Sequence, residues 1–97
     1  MPVAYVIADV DVSDPEKYEA YKALSPGAVA AAGGRFVVRG GRRETMEGHW
    51  VPGRVVVIEF PSWEAAKAFY DSPPYLVARA AREGATRRFN MIIVEGV

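Results

Sequence analysis

Apolar and polar positions along the chain fall into runs with two different periods. VAYVIADVDV (3–12) is β-branched and alternates, which predicts a strand. In the following SDPEKYEAYKAL, Asp14 and Pro15 mark a helix start. The carboxylate can accept from free backbone N–H groups, and proline's missing N–H costs nothing at the first position. Tyr18, Tyr21 and Leu24 share one helical face. Pro26 and Gly27 predict an interruption, AVAAA resumes the helix, and Gly33-Gly34 ends it. RFVVRG (35–40) is a second predicted strand, followed by a turn-rich connection closed by Pro52-Gly53. RVVVIEF (54–60) is the third strand and the clearest. Ser62 is the predicted N-cap of WEAAKAFY, and Ser72 repeats the device before Pro73, with YLVARAAREGA helical to Gly84. FNMIIVE (89–95) is the last strand.

The order β-α-β-β-α-β, with each helical region in two pieces, predicts an α+β fold of ferredoxin-like type. Its four-stranded antiparallel sheet carries the helices on one face. The 97 residues make a single domain, 1–97, with no internal repeat.

Strand parity sharpens this picture, because successive strand residues point to opposite faces. Ala4, Val6, Ala8, Val10, Phe36, Val38, Val56, Ile58 and Phe60 are apolar and mark the face for the helices. The other face carries Tyr5, Ile7, Asp9, Arg35, Val37, Arg39, Val55, Val57 and Glu59. A solvated face has no need of so many aliphatics, and a buried one tolerates charges only when they are paired. The mixture predicts a second layer with a polar interior. The chain has no further helix to supply that layer, so a second copy packing sheet to sheet about a two-fold axis is the expected partner.

Composition narrows the classes. Twelve basic and twelve acidic residues leave no net charge, so no nucleic-acid or anionic-membrane footprint is visible. The single RGGRR stretch is better read as a turn or bulge. Without cysteine there are no disulfides, thiolate nucleophiles or zinc–thiolate sites. No signal segment or membrane span is visible, which makes the cytoplasm the default location. The glycines of GGRFVVRGG do not open a helix after a strand, so they form no dinucleotide fingerprint. No cofactor is implied.

RFVVRGG, EGHWVPGRVVVIEFPS, FYDSPPY and REGA…IIVEGV resemble, in order and spacing, the family catalogued as domain of unknown function 1330. The stretch from Arg54 through Glu59 to Ser62 is the most specific part. The resemblance covers nearly the whole chain. It implies a dimeric α/β barrel in which two ferredoxin-like subunits pack sheet to sheet, in a soluble bacterial protein. The wider superfamily includes cofactor-free monooxygenases, lactone isomerases and haem-handling proteins, so the fold alone does not give the reaction.

Several residues are candidates for chemistry. In a closed cavity, Arg39 or Arg35 could hold a carboxylate or enolate, and Glu59 or Asp9 could move a proton. The competing account is an internal ion-pair network that fixes register and dimer. Tyr5 lies on the charged face within reach of a ligand, and Trp50 is expected to pack its ring on the barrel rim. His49, the only histidine, has a suitable pKa but no carboxylate placed by sequence to orient it, and this position is more often acidic or variable in the family. No metal site is expected, since no cluster has ligand spacing. Two readings stay open. One is a cofactor-free enzyme of isomerase, lyase or monooxygenase type acting on a small organic molecule. The other is a non-catalytic homodimeric ligand-binding or structural module. An open cavity at Arg39 and Glu59 favours the first, and full mutual pairing of the charges favours the second.

Overall fold

A computed structural model describes residues 2–97. The chain runs β1 (Ala4–Val12), α1 (Pro15–Ala31), β2 (Arg35–Arg39), β3 (Arg54–Phe60), α2 (Trp63–Asp71), α3 (Pro73–Ala81) and β4 (Thr86–Glu95). The strands form one antiparallel sheet in the order β2-β3-β1-β4, and the helices cover one face, as the ferredoxin-like pattern predicts. Among the described residues no helix is long and apolar enough to cross a membrane.

The helix ends follow from local chemistry. The Asp14 carboxylate accepts from the Lys17 N–H at 3.1 Å and Ser62 Oγ from the Ala65 N–H at 3.1 Å. Ser72 differs from expectation. Its hydroxyl donates to the Phe69 carbonyl at 2.7 Å, so its side chain closes α2 and does not cap α3. Gly33, at φ 78°, supplies the left-handed turn that ends α1.

Pro26 does not interrupt α1, which is one continuous helix of 17 residues. Proline removes the donor for the carbonyl four residues back, that of Lys22. Arg39 Nη2 donates to that carbonyl at 2.9 Å, so the orphaned acceptor is satisfied from the neighbouring strand. The buried stripe of α1 runs through Tyr18, Tyr21, Ser25, Ala28 and Val29, and Leu24 lies outside it, 42% exposed.

The core lies between sheet and helices. Ala4, Val6, Ala8, Val10, Val56, Ile58 and Phe60 are all buried, as strand parity predicts. They meet Phe69 and Tyr75, whose rings lie 4.3 Å apart, and the Tyr75 hydroxyl shares a 2.8 Å hydrogen bond with that of Tyr21.

Parity fails on β2. The register pairs Phe36 with Ile58, then Val38 with Val57, so Val37 is the extra residue of a β-bulge. From there every side chain changes face. Val38, expected under the helices, joins the uncovered face, and Arg39, expected on the uncovered face, turns to the helix side. There its guanidinium lies 4.5 Å from the Phe36 ring centroid. Cross-strand partners share a face. The uncovered face therefore carries an aliphatic row, Val38–Val57–Ile7–Ile92, across all four strands. Flanking it are Arg35–Glu59–Tyr5–Val94 on one side and Val55–Asp9–Asn90 on the other.

Candidate functional site

The charges nominated on the sheet face are paired within the chain. Asp9 Oδ1 accepts from the Gly53 N–H and from Arg88 Nη2, both at 2.8 Å, and Oδ2 accepts from the Trp50 indole N–H at 2.9 Å. Partial burial pushes this carboxyl up, but the bonds from Trp50, Arg88 and Gly53 outweigh it and hold it below the ordinary carboxylate value. Asp9 is therefore a fixed anion with three donors. That geometry lends no support to a proton-carrying role. Only glycine fits at position 53, because a Cβ there would run into the Val10 carbonyl oxygen.

Glu59 takes two bonds from Arg35, Nε at 3.2 Å and Nη2 at 3.4 Å. Its partner is therefore the exposed Arg35 and not a buried arginine, because the bulge carries Arg39 to the other face. Asp11 pairs with Arg87 at 3.0 Å. The uncovered face thus has an aliphatic centre and self-neutralised borders. Tyr5 sits in the border row between Glu59 and Val94.

The loop from 40 to 53 stands away from the body. Its large apolar side chains, Met46, Trp50 and Val51, are 81%, 64% and 77% exposed. Within one chain the Trp50 ring covers little apolar surface. Its N–H bond to Asp9 fixes it beside the uncovered sheet face. His49 is exposed in the bend of this loop, and the described contacts give it no hydrogen bond to a carboxylate.

On the helix side, Tyr18, Tyr21, Arg39 and Arg54 line a cavity of about 20 Å³, enough for one water-sized guest and too small for an organic substrate. Burial pushes the hydroxyls of Tyr18 and Tyr21 up, the latter strongly and with help from Tyr75, so both stay protonated near neutrality. Arg39 meets the Lys22 carbonyl and not Glu59, so these two candidates are not brought together.

A larger depression was missed by the sequence reading. Between α2 and β4 lies a half-open groove of about 440 Å³. Trp63, Lys67 and Tyr70 form one wall, spaced four and three residues apart on one helical face. Phe89, Met91 and Ile93 form the other, spaced by two along the strand. Arg82, just after α3, closes one end with its guanidinium carbon 3.7 Å from the Phe89 ring centroid. Neither Lys67 nor Arg82 joins an ion pair among the described residues. The spacing of Trp63, Lys67 and Tyr70 was readable. That they face β4, and that Arg82 reaches them, depends on the packing of α2 and α3.

Solved structures share this architecture. A protein of unknown function from Rhodopseudomonas palustris superposes with a TM-score of 0.76 at 21% identity, covering 99% of this chain and 83% of its own. A dimeric ferredoxin-like protein of unknown function from Jannaschia sp. CCS1 does so at 0.72 and 14%, covering 96% and 98%. A protein from Nitrosomonas europaea, provisionally named as an antibiotic biosynthesis monooxygenase, does so at 0.60 and 18%, covering 98% and 90%. At these identities the likeness is one of fold. Among curated proteins none matches the chain. The sequence itself matches the profile of a family over residues 3–97, and the chain belongs to that family, described as a domain of unknown function (DUF1330).

Proposed function

We propose that this protein is a non-catalytic homodimer that binds a small molecule between sheet and helices in each subunit. Pairing of the sheet-face charges carries the reading. Asp9 accepts from three donors, Glu59 is engaged by Arg35, and Arg39, carried off this face by the bulge, bonds a backbone carbonyl. An enzyme using Glu59 or Asp9 to move a proton needs that group free beside a substrate cavity. These carboxylates instead border an aliphatic strip, the arrangement of an interface with a dry centre and a polar rim. A second copy packed on this strip would cover Val38, Val57, Ile7 and Ile92 and meet the exposed Trp50. Proteins of the same ferredoxin-like fold are described as dimeric, which supports a second copy. The groove between α2 and β4 is walled by helix-side residues, and Ile92 at its edge is shared with the row that a second copy would cover.

Native mass spectrometry of the purified protein tests the reading. The expected result is a dimer carrying small molecules that leave on denaturation, or one that takes up added organic compounds, one per subunit. Turnover of any compound that Glu59→Gln abolishes, with dimer and binding intact, would contradict the non-catalytic reading.

A further inference from the structure

We infer that the α2–β4 groove is a site for an aromatic organic acid, with the carboxylate at Arg82 and the ring system against Trp63 and Met91. The inference rests on the small-molecule-binding reading and adds the chemistry of the ligand.

Three observations carry it. First, the groove's volume, about 440 Å³, suits a compact organic molecule. Second, its walls supply flat and polarisable surface: the Trp63 indole, 39% exposed and so available to a guest, the Tyr70 and Phe89 rings, and the Met91 thioether. Third, its charges have one sign. Arg82 and Lys67 line the groove, and among the described residues no acidic side chain does.

Arg82 is the more telling of the two cations. Its Nε is buried and has no hydrogen-bond partner among the described residues. A buried N–H on a cation is costly to leave unpaired. The guanidinium is also held in place, over the Phe89 ring at 3.7 Å and near the Tyr21 ring at 5.5 Å. A planar fork that is fixed and partly desolvated matches a carboxylate, which can accept two parallel N–H bonds. Lys67, four residues after Trp63 on α2, adds an exposed positive charge to the groove's lining.

The test is NMR titration of the intact protein with a matched pair of probes, 1-naphthoate and the neutral 1-naphthalenemethanol. The indole N–H signals of Trp63 and Trp50 are assigned with Trp63→Phe and Trp50→Phe. Naphthoate is expected to shift the Trp63 indole and Arg82 Nε–H signals, leave Trp50 unmoved, and bind at least about tenfold more tightly than the alcohol. Arg82→Met keeps the apolar stem and should erase that preference while leaving the alcohol's affinity unchanged. Should Arg82→Met not fold, Lys67→Met is an exposed change that should lower naphthoate affinity severalfold and weaken its salt dependence. Equal binding of acid and alcohol, or shifts confined to Trp50, would overturn the inference and leave the small-molecule reading standing. If neither probe binds at millimolar concentration, the inference falls, and the small-molecule reading falls with it only if native mass spectrometry also finds no bound organic compound.

Discussion

Asp9 shows how one side chain can organise a region. It ties together β1, the end of the 40–53 loop through Trp50 and Gly53, and β4 through Arg88. Removing it in Asp9→Ala leaves a half-buried backbone N–H, an indole N–H and an arginine without their acceptor, and should cost about 1–3 kcal/mol in urea melts at fixed protein concentration. The charge also predicts a pH dependence. Its folded-state pKa lies below the ordinary value, so protonation favours the unfolded chain. The stabilisation is therefore complete above about pH 4, the unfolded carboxylate range, and is lost as the pH falls below it. Asp9→Asn should flatten this acid limb of the stability curve, and an unchanged limb would show that the carboxylate bonds do not persist in solution. Asp9 was singled out from sequence by its place on a mixed face. Its partners were not, because Trp50 and Gly53 lie across a loop and Arg88 on a strand far along the chain. His49→Asn should leave folding and dimerisation intact, since the side chain is exposed in a bend, and melts with sedimentation check this.

At the scale of elements, the apolar runs located all four strands, the last one three residues short at its start, and the uncovered face was recognised from the residual aliphatics of the first three. The boundary of that success is a single residue. The bulge at Val37 reverses the facing of Val38 and Arg39, and nothing in RFVVRGG marks it. The other miss, the continuity of α1 through Pro26, has a linked cause: the same bulge delivers Arg39 to the Lys22 carbonyl that Pro26 leaves without a donor. A local rule about proline was overridden by a tertiary hydrogen bond. This coupling is measurable. Arg39→Met should cost about 1 kcal/mol in the parent. It should cost less in Pro26→Ala, where the backbone N–H of residue 26 can return to the Lys22 carbonyl. A double-mutant cycle of denaturant melts gives the coupling energy, and strict additivity would separate the two residues. At the start of α2, Ser62→Ala should cost about 0.5–2 kcal/mol by losing the bond to the Ala65 N–H, with Ser62→Gly costing less.

For the whole molecule, the claim that organises the rest is that a second copy covers the sheet face. One chain of 97 residues buries its core on one side of the sheet only. On the other side Ile92 remains 56% exposed and Val38 40%, in a continuous row with Val57 and Ile7. Exposed apolar rows of this kind mark interaction surfaces. The charges bordering the row are neutralised within the chain, so two such faces can meet without stranding an unpaired ion. The direct test is sedimentation velocity at micromolar concentration on the wild type and on Val57→Glu, which places a carboxylate mid-row where a single folded chain would leave it half in water. The account predicts a wild type at twice the mass of one chain and a folded Val57→Glu at the mass of one. A wild type sedimenting as a single chain, or a Val57→Glu dimer as tight as the parent, would contradict it.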